Sequence, residues 1–282
     1  MPELPEVEVL ARHLRPLVTG KIIREVSVRR PKVLLPTTPA ELERALVGAK
    51  FTGVSRRGKY LIFSLRPRGQ RQDISLLGHL GMTGRMYLAP AREPLPKHAA
   101  VILGLGRERF IYEDTRYFGR FTLDLKSVDL LGPEPLEPTF ELAEFARQLK
   151  RFQQAIKVKL LDQSLVAGVG NIYASEALYR AGISPRRAAR RLTAAEVARL
   201  HAAIRQVLGD AIQCGSTIPL NFGGGKSDGL FYYGSATTGE FYTERLLVYD
   251  RQGQPCVRCG TPIRRIVQAA RSTFFCPTCQ RK

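Results

Sequence analysis

Two sets of residues in this sequence have types and spacings that suit chemistry. The first is the opening run Met1-Pro2-Glu3-Leu4-Pro5-Glu6-Val7-Glu8. A small residue after the initiator methionine permits its trimming, and trimming here leaves Pro2 with a free secondary amine. An α-amino group titrates near ~8, against ~10.4 for a lysine side chain, so far more of it is unprotonated at neutral pH. A secondary amine adds to an aldehyde carbon and yields an iminium, which is covalent catalysis of the Schiff-base kind. Glu3 and Glu6 lie beside it in sequence as candidate proton donors or charge stabilisers. The same run also reads as a plain helix start, because Pro5 suits a first turn and glutamates suit a helix N-terminus.

The second set is Cys256-x2-Cys259-x16-Cys276-x2-Cys279. Four thiolates in two close pairs suit tetrahedral zinc with every position filled by protein, which makes the site structural. A redox pair or an iron site is the competing reading. The spacer is long enough for a β-hairpin, and Arg271 lies on it within reach of a phosphate. Cys214 stands apart and is expected to be a small buried apolar residue.

The whole chain has 282 residues, 44 Lys and Arg against 25 Asp and Glu, and a net charge of +19. That length predicts about two domains. Positive charge on this scale costs self-repulsion, and its usual purpose is binding a polyanion. No apolar run is long enough to span a membrane. An acidic N-terminus is unlike a signal peptide, and paired cysteines held for metal fit a reducing compartment. A cytoplasmic protein is therefore expected.

Several elements must position these groups. From Val7 to Val18 the apolar residues recur with a helical period, ended by Thr19-Gly20. From Lys21 to about Leu125 short β-rich runs alternate with turns: Ile22–Val28, Lys50–Ser55, Tyr60–Leu65, Ile74–Leu77, Met86–Leu88, Ala99–Leu105, Arg109–Tyr112 and Arg120–Leu125. This spacing predicts a β-sandwich or barrel, with a brief helix at Pro39–Leu46. Three prolines in Leu131–Pro138 read as a linker. Helices follow at Glu141–Lys150, Ala155–Leu161, Ile172–Ala181 and Thr193–Ala211, the last with a Thr193/Glu196 capping box. Residues 222–239 are Gly-rich and aromatic and read as a mobile loop.

Turns within this frame carry further candidates. Gly168-Val169-Gly170-Asn171 places backbone N–H groups at a helix start, which is an anion site, with Asn171 as a side-chain donor. It also reads as an ordinary helix–helix turn. Arg56-Arg57-Gly58-Lys59-Tyr60 is a basic turn. His79-Leu80-Gly81-Met82-Thr83-Gly84 presents a methionine, and Asp114-Thr115-Arg116-Tyr117-Phe118-Gly119 an arginine and aromatics. Met82 and Phe118 offer an apolar wedge and Arg116 a cation, which is what opening a base stack requires.

Taken together, PELPEVE, the Arg57-Gly58-Lys59 turn, HLGMTG, Leu131-Gly132-Pro133-Glu134-Pro135-Leu136, the run from Leu161-Asp162-Gln163 to Ser175-Glu176, and the cysteine ribbon resemble bacterial formamidopyrimidine-DNA glycosylase, in family order along the chain. The resemblance implies an α+β multidomain protein. Its parts are an N-terminal β-sandwich domain over residues 1–131, a linker at 132–138, a helix–two-turn–helix domain at 139–245 and a zinc finger at 246–282. It implies excision of oxidised purines, 8-oxoguanine and formamidopyrimidines, from double-stranded DNA by a monomer that carries one structural zinc. Pro2 would form the Schiff base, Glu3 would donate a proton and Glu6 would support it. Lys59 would act from its turn in β-elimination, and Arg271 in δ-elimination. Met82, Arg116 and Phe118 would fill the duplex gap, while His98, Lys157 and Asn171 would hold DNA. Cys256, Cys259, Cys276 and Cys279 would bind the metal.

The sequence departs from the family pattern in places. Tyr117 stands where a second arginine is common. Lys97-His98-Ala99-Ala100 lacks a second histidine, and the Gly-rich loop is long. Two alternatives share many of these features. One is an endonuclease VIII-like enzyme for oxidised pyrimidines, against which Leu4 and the Met82/Arg116/Phe118 set argue. The other is a zinc-ribbon DNA-binding protein without catalysis.

Overall fold

The computed structural model describes residues 2–215 and 246–281. Met1 and the Gly-rich stretch 222–239 lie outside the described residues. The described chain forms two compact units, one of Pro2 and Glu6–Asp129, the other of Glu3–Pro5 with residues 130–215 and 246–281. Among the described residues no helix is long and apolar enough to cross a membrane.

The chain opens with α1 (Leu4–Val18). It begins earlier than the apolar period suggested because Pro5 sits in the first turn, where the missing N–H has no partner to lose. The first unit is a sandwich of two antiparallel four-stranded sheets. One has the order β1-β6-β7-β5, from β1 (Glu25–Val28), β5 (Arg85–Pro90), β6 (Ala99–Gly104) and β7 (Glu108–Glu113). The other has the order β2-β3-β4-β8, from β2 (Lys50–Arg57), β3 (Tyr60–Arg66), β4 (Ile74–His79) and β8 (Arg120–Thr122). Alternation decides the faces: Leu61, Phe63 and Leu65 of β3 point inward and are fully buried. They share one core with Val101, Phe110 and Tyr112 of the other sheet, and the Phe63 and Phe110 rings meet edge to face at 5.4 Å. That shared core is what makes the two sheets a sandwich.

Helix α2 (Pro39–Leu46) has the expected bounds and starts on a Thr38/Glu41 capping box. Three expected strands are shorter than their β-rich runs, β6 by its last residue only. Ile22 keeps only a single bridge to Lys50. The run from Arg120 stops at Thr122, whose hydroxyl meets that of Thr37 at 2.8 Å, and a short α3 (Lys126–Asp129) follows.

The second unit is built on α4 (Leu142–Lys150), α5 (Ile156–Leu160), α6 (Asn171–Ala181) and α7 (Ala194–Gln213). The Thr193/Glu196 capping box is present. The proline-rich segment read as a linker is bound into this unit. Gly132 N–H donates to Gln163 O (2.8 Å), Ala167 N–H to Pro133 O (3.0 Å), and Arg205 to the Pro135 and Glu137 carbonyls. The chain ends in a hairpin of β9 (Arg264–Gln268) and β10 (Arg271–Phe275), with Gln268 opposite Arg271.

Candidate active site and nucleic-acid interface

In the second unit the chain start is held by the glycine turn. Leu4 N–H donates to Gly168 O at 3.1 Å. The Glu3 carboxylate accepts from the Ile172 N–H (2.9 Å) and the Tyr173 N–H (3.4 Å), at the N-terminus of α6. The positive end of the helix dipole and its unpaired N–H groups favour an anion there. The N–H groups that hold an acceptor are thus those of Ile172 and Tyr173, just beyond the Gly168–Asn171 turn, and the acceptor is Glu3; the Gly168 N–H is taken by Gln163. The glycines are required by this approach. A Cβ on Gly168, which has φ of 83°, would lie 2.6 Å from Leu4, and a Cβ on Gly170 would overlap the Glu3 carboxylate. Gln163 braces the turn by accepting from Gly168 N–H and donating to Val169 O, both at 2.9 Å.

The same unit gathers Lys157, Asn171 and Arg271. Lys157, which was expected to hold DNA, is buried against β10. It is 1% exposed. Its ammonium donates to Asn171 Oδ1, Ser272 O (3.0 Å) and Thr273 Oγ1 (2.8 Å), which uses all three protons. Burial pushes Lys157 down to about 8, with Glu3 opposing and the positive charge of Arg271 adding to the shift. Lys157 thus fastens α5 to β10 and turns the Asn171 amide so that its oxygen faces inward. Arg271 begins β10 and is exposed.

In the first unit Pro2 and Glu6 are buried. Glu8, on the next turn of α1, reaches Arg12 (2.7 Å) and Arg56 (2.9 Å). Burial acts to raise its carboxyl, but hydrogen bonds from Arg12 and Arg56 win and hold it below its ordinary value. Arg56 also donates to Gly58 O at 3.1 Å. The opening helix is therefore tied to the turn that carries Lys59. That turn joins Arg57 to Tyr60 through two residues, with Gly58 at φ 56°. A glycine at the first central position suits a tight hairpin. Lys59 is 7% exposed. The Tyr60 ring lies 4.7 Å from that of His79, and burial, with Lys59 and Arg120 nearby, pushes His79 down to about 4.

Met82 and Phe118 are about half exposed, at 47% and 55%, although both are large and apolar. Arg116 lies between them, 3.3 Å from the Met82 sulfur and 4.8 Å from the centre of the Phe118 ring. Their two turns touch backbone to backbone, since a Cβ on Gly81 would lie 2.8 Å from the Phe118 carbonyl carbon. Asp114, fully buried, knots them together. It accepts from the Thr83 hydroxyl (2.7 Å), Arg116 N–H (3.1 Å), Gly119 N–H (2.9 Å) and the Tyr112 hydroxyl (3.4 Å). His98 is half-buried, and its Nδ1 lies 3.4 Å from the Tyr117 hydroxyl.

The sulfurs of Cys256, Cys259, Cys276 and Cys279 all lie within 4.8 Å of one another. Two of the distances, Cys256–Cys279 at 3.9 Å and Cys259–Cys276 at 3.5 Å, bracket the roughly 3.8 Å edge of a tetrahedron with Zn–S bonds of about 2.3 Å. The donor set and its spacing fit zinc. Cys214 is half-buried at the end of α7, against the helical core.

The family models match the same three regions. The formamidopyrimidine-DNA glycosylase N-terminal domain matches residues 1–121, the helix–two-turn–helix domain of that enzyme residues 131–221, and the zinc finger found in it and in IleRS residues 253–281. The chain belongs to the formamidopyrimidine-DNA glycosylase family. A relative from Symbiobacterium thermophilum is 43% identical over 290 residues, covering 99% of this chain and 89% of that one. The Lactococcus lactis Fpg bound to DNA with an abasic site is similar in structure, with a TM-score of 0.87, 34% identity and coverage of 99% and 100% of the two chains. The same L. lactis enzyme has been solved with DNA containing an oxidised pyrimidine, with a TM-score of 0.88, 34% identity and complete coverage of both chains.

Within this family member, three residues that matter to the geometry escaped the sequence reading. Asp114 was visible only as the start of a turn. Glu8 formed an i,i+4 pair with Arg12, a pattern that signals no more than an exposed helix face. Glu176, fully buried on α6, accepts from the N–H groups of Leu247 (2.9 Å), Val248 (2.9 Å) and Tyr249 (2.8 Å). It looked like one more helical glutamate.

Proposed function

We propose that this protein is a DNA-repair glycosylase and abasic-site lyase that releases oxidised bases from double-stranded DNA, with purines such as 8-oxoguanine and formamidopyrimidines as preferred substrates. The observation that carries this reading is the position of Glu3. Its buried carboxylate is fixed on the N-terminus of α6, one residue from the proline that becomes the amine terminus once Met1 is removed. The Pro2 nitrogen attacks the sugar C1′ and the C1′–base bond breaks. Glu3 acts as the proton donor, and Glu6 supports it from the first turn of α1. Ring opening gives an iminium between Pro2 and the sugar. Removal of a C2′ proton then expels the 3′ phosphate, and a second elimination expels the 5′ phosphate, so the strand is cut on both sides. Lys59 serves the first elimination and Arg271 the second, while Asn171 holds phosphate. Met82, Arg116 and Phe118 fill the space left by the displaced nucleotide, and His98 supports them through Tyr117. The four cysteines would hold zinc, which when bound cross-links the terminal ribbon.

The test is borohydride trapping on abasic DNA, with the N-terminus of the same sample mapped by mass spectrometry. A covalent adduct on chains that begin at Pro2 is expected. Equal adduct on chains that retain Met1, or an unchanged yield from Pro2→Gly, would remove proline as the nucleophile. No adduct at all would favour a DNA-binding module. Release of thymine glycol in preference to 8-oxoguanine opposite cytosine would overturn the purine preference.

A further inference from the structure

Arg30 follows β1 on a backbone that is firmly held. Ala100 O accepts both the Arg29 N–H (2.9 Å) and the Arg30 N–H (3.2 Å). The 3-10 turn Pro31–Leu34 comes next and buries Val33 and Leu34 completely. The Arg30 side chain nevertheless stays exposed. Its Nε donates to the Tyr117 hydroxyl at 3.0 Å, and its guanidinium carbon lies 5.3 Å from the centre of the Tyr117 ring. The same hydroxyl sits 3.4 Å from His98 Nδ1. Tyr117 itself has φ of 53°, a left-handed conformation that an aromatic residue adopts only at a cost of order 1 kcal/mol or more.

This arrangement leaves one part of the guanidinium uncommitted. Nε fixes the plane of the group, and the ring supports one face. Among the described residues the two terminal nitrogens of Arg30 have no hydrogen-bond partner. Two parallel N–H groups on a plane held in this way are the donor set that a phosphate accepts in bidentate fashion. Its sequence neighbours Arg29 and Lys32 are cations too, with Glu25 and Glu41 the nearest carboxylates along the chain. Tyr117 is also the residue between Arg116 and Phe118, so Arg30 is tied to the turn that carries them.

We propose that Arg30 is a phosphate-binding residue, with its guanidinium presented by Tyr117 and His98 to a backbone phosphate beside the opened base pair. The proposal rests on the DNA-repair reading given above. A purely structural role, covering the Tyr117 ring, is the alternative that a test must separate.

The measurement is binding of the full chain to a duplex carrying a tetrahydrofuran abasic analogue, followed by anisotropy from about 0.1 to about 1 M KCl. One lost phosphate contact lowers the slope of log K against log salt by about 0.9 for B-DNA, so Arg30→Gln should cost about eightfold more affinity at the low-salt end than at the high-salt end. The loss should be the same on undamaged duplex, since phosphates carry no base identity. Tyr117→Phe keeps the cation and should keep the slope while weakening binding, because the fork is no longer oriented. An unchanged slope for Arg30→Gln overturns the proposal, and a lowered melting temperature with that unchanged slope assigns Arg30 to structure alone. Trapping by the unsubstituted chain on abasic DNA tests the catalytic reading separately, so the two can fail independently.

Discussion

Asp114 shows how much one buried side chain can decide at the residue scale. Four donors converge on its two oxygens, and they come from both wedge turns and from β7. Removing the acceptor leaves buried donors without partners, at about 1–3 kcal/mol each. Asp114→Ala should therefore destabilise the first unit by about 3 kcal/mol or more, and Asp114→Asn by less. The functional effect should be selective. Under the proposed function, base release from duplex DNA uses the wedge, whereas an abasic site in a single strand presents its sugar without it. Excision from duplex by Asp114→Asn should fall more than about tenfold, a cost of about 1.4 kcal/mol, while borohydride trapping on single-stranded abasic DNA is largely kept. Equal loss in both assays would show that Asp114 does not act through the wedge. The turns that expose Met82 and Phe118 were legible in the sequence from their glycines, but which apolar residue of a turn stays outside was not, since Leu80 of the same turn as Met82 is buried. Asp114 was not, because a turn aspartate has the same local pattern whether it caps its own backbone or anchors a second turn far along the chain. The burial of Lys157 was not legible for a related reason. Sequence gives a lysine its charge but not its burial, and its acceptors on β10 lie more than a hundred residues away.

Element by element, the strands and helices were legible wherever periodicity governs them. The inward alternation of β3 and the capping boxes of α2 and α7 are local signals, and they sit where local rules place them. The tip of the β9–β10 hairpin was not legible as a tight turn. Ala269 and Ala270 both take positive φ, 46° and 58°, where asparagine and glycine are the usual residues. The turn from β4 to β5 is where an element depends on titration. His79 Nδ1 accepts from the Gly81 N–H at 3.2 Å, which requires a neutral ring. Burial, then the charges of Lys59 and Arg120, hold His79 near 4 in the folded chain against an ordinary 6.5. Between those values the unfolded chain binds the extra proton and the folded chain does not. Stability is therefore fully present above about pH 6.5 and falls as pH drops toward 4. At pH 5 the loss amounts to about 2 kcal/mol, or roughly 8 °C in melting temperature for a unit of this size. His79→Gln keeps an acceptor and cannot titrate, so its melting temperature should fall less between pH 7.5 and pH 5 by about that amount. Parallel curves for the two proteins would place the acid sensitivity elsewhere.

For the whole molecule, net charge and the cysteine quartet were the most legible features, since neither depends on long-range packing. What they could not convey is how far the terminal ribbon supports the helices. Its own core is small: Val248, Cys256, Ile263, Phe274 and Cys276 with Tyr179 of α6. A cluster of this size does not hold a fold alone, and a metal cross-link is the usual remedy. Glu176 extends the dependence inward. Its carboxylate is fully buried, and its donors are the backbone N–H groups of Leu247, Val248 and Tyr249, at the entrance to the ribbon. Burial drives this carboxyl up, and the three N–H groups and Arg180 work against that rise. If the metal leaves and residues 247–249 shift, the carboxylate loses those donors while still inside α6, and it must either take up a proton or draw water into the helix. Zinc removal should therefore loosen more than the ribbon. One equivalent of zinc per chain is expected on release by a thiol-reactive mercurial. Hydrogen exchange should then quicken across residues 246–281 and through α6, whereas the amides of β2, β3 and β4 keep their protection, because the sandwich core contains none of the ribbon residues. Affinity for duplex DNA should drop with the loss of Arg271 from its place on β10. Glu176→Gln, with zinc retained, should reproduce the faster exchange in α6 but not the loss of metal. If α6 exchanges at its original rate after zinc release, Glu176 does not couple the ribbon to the helices.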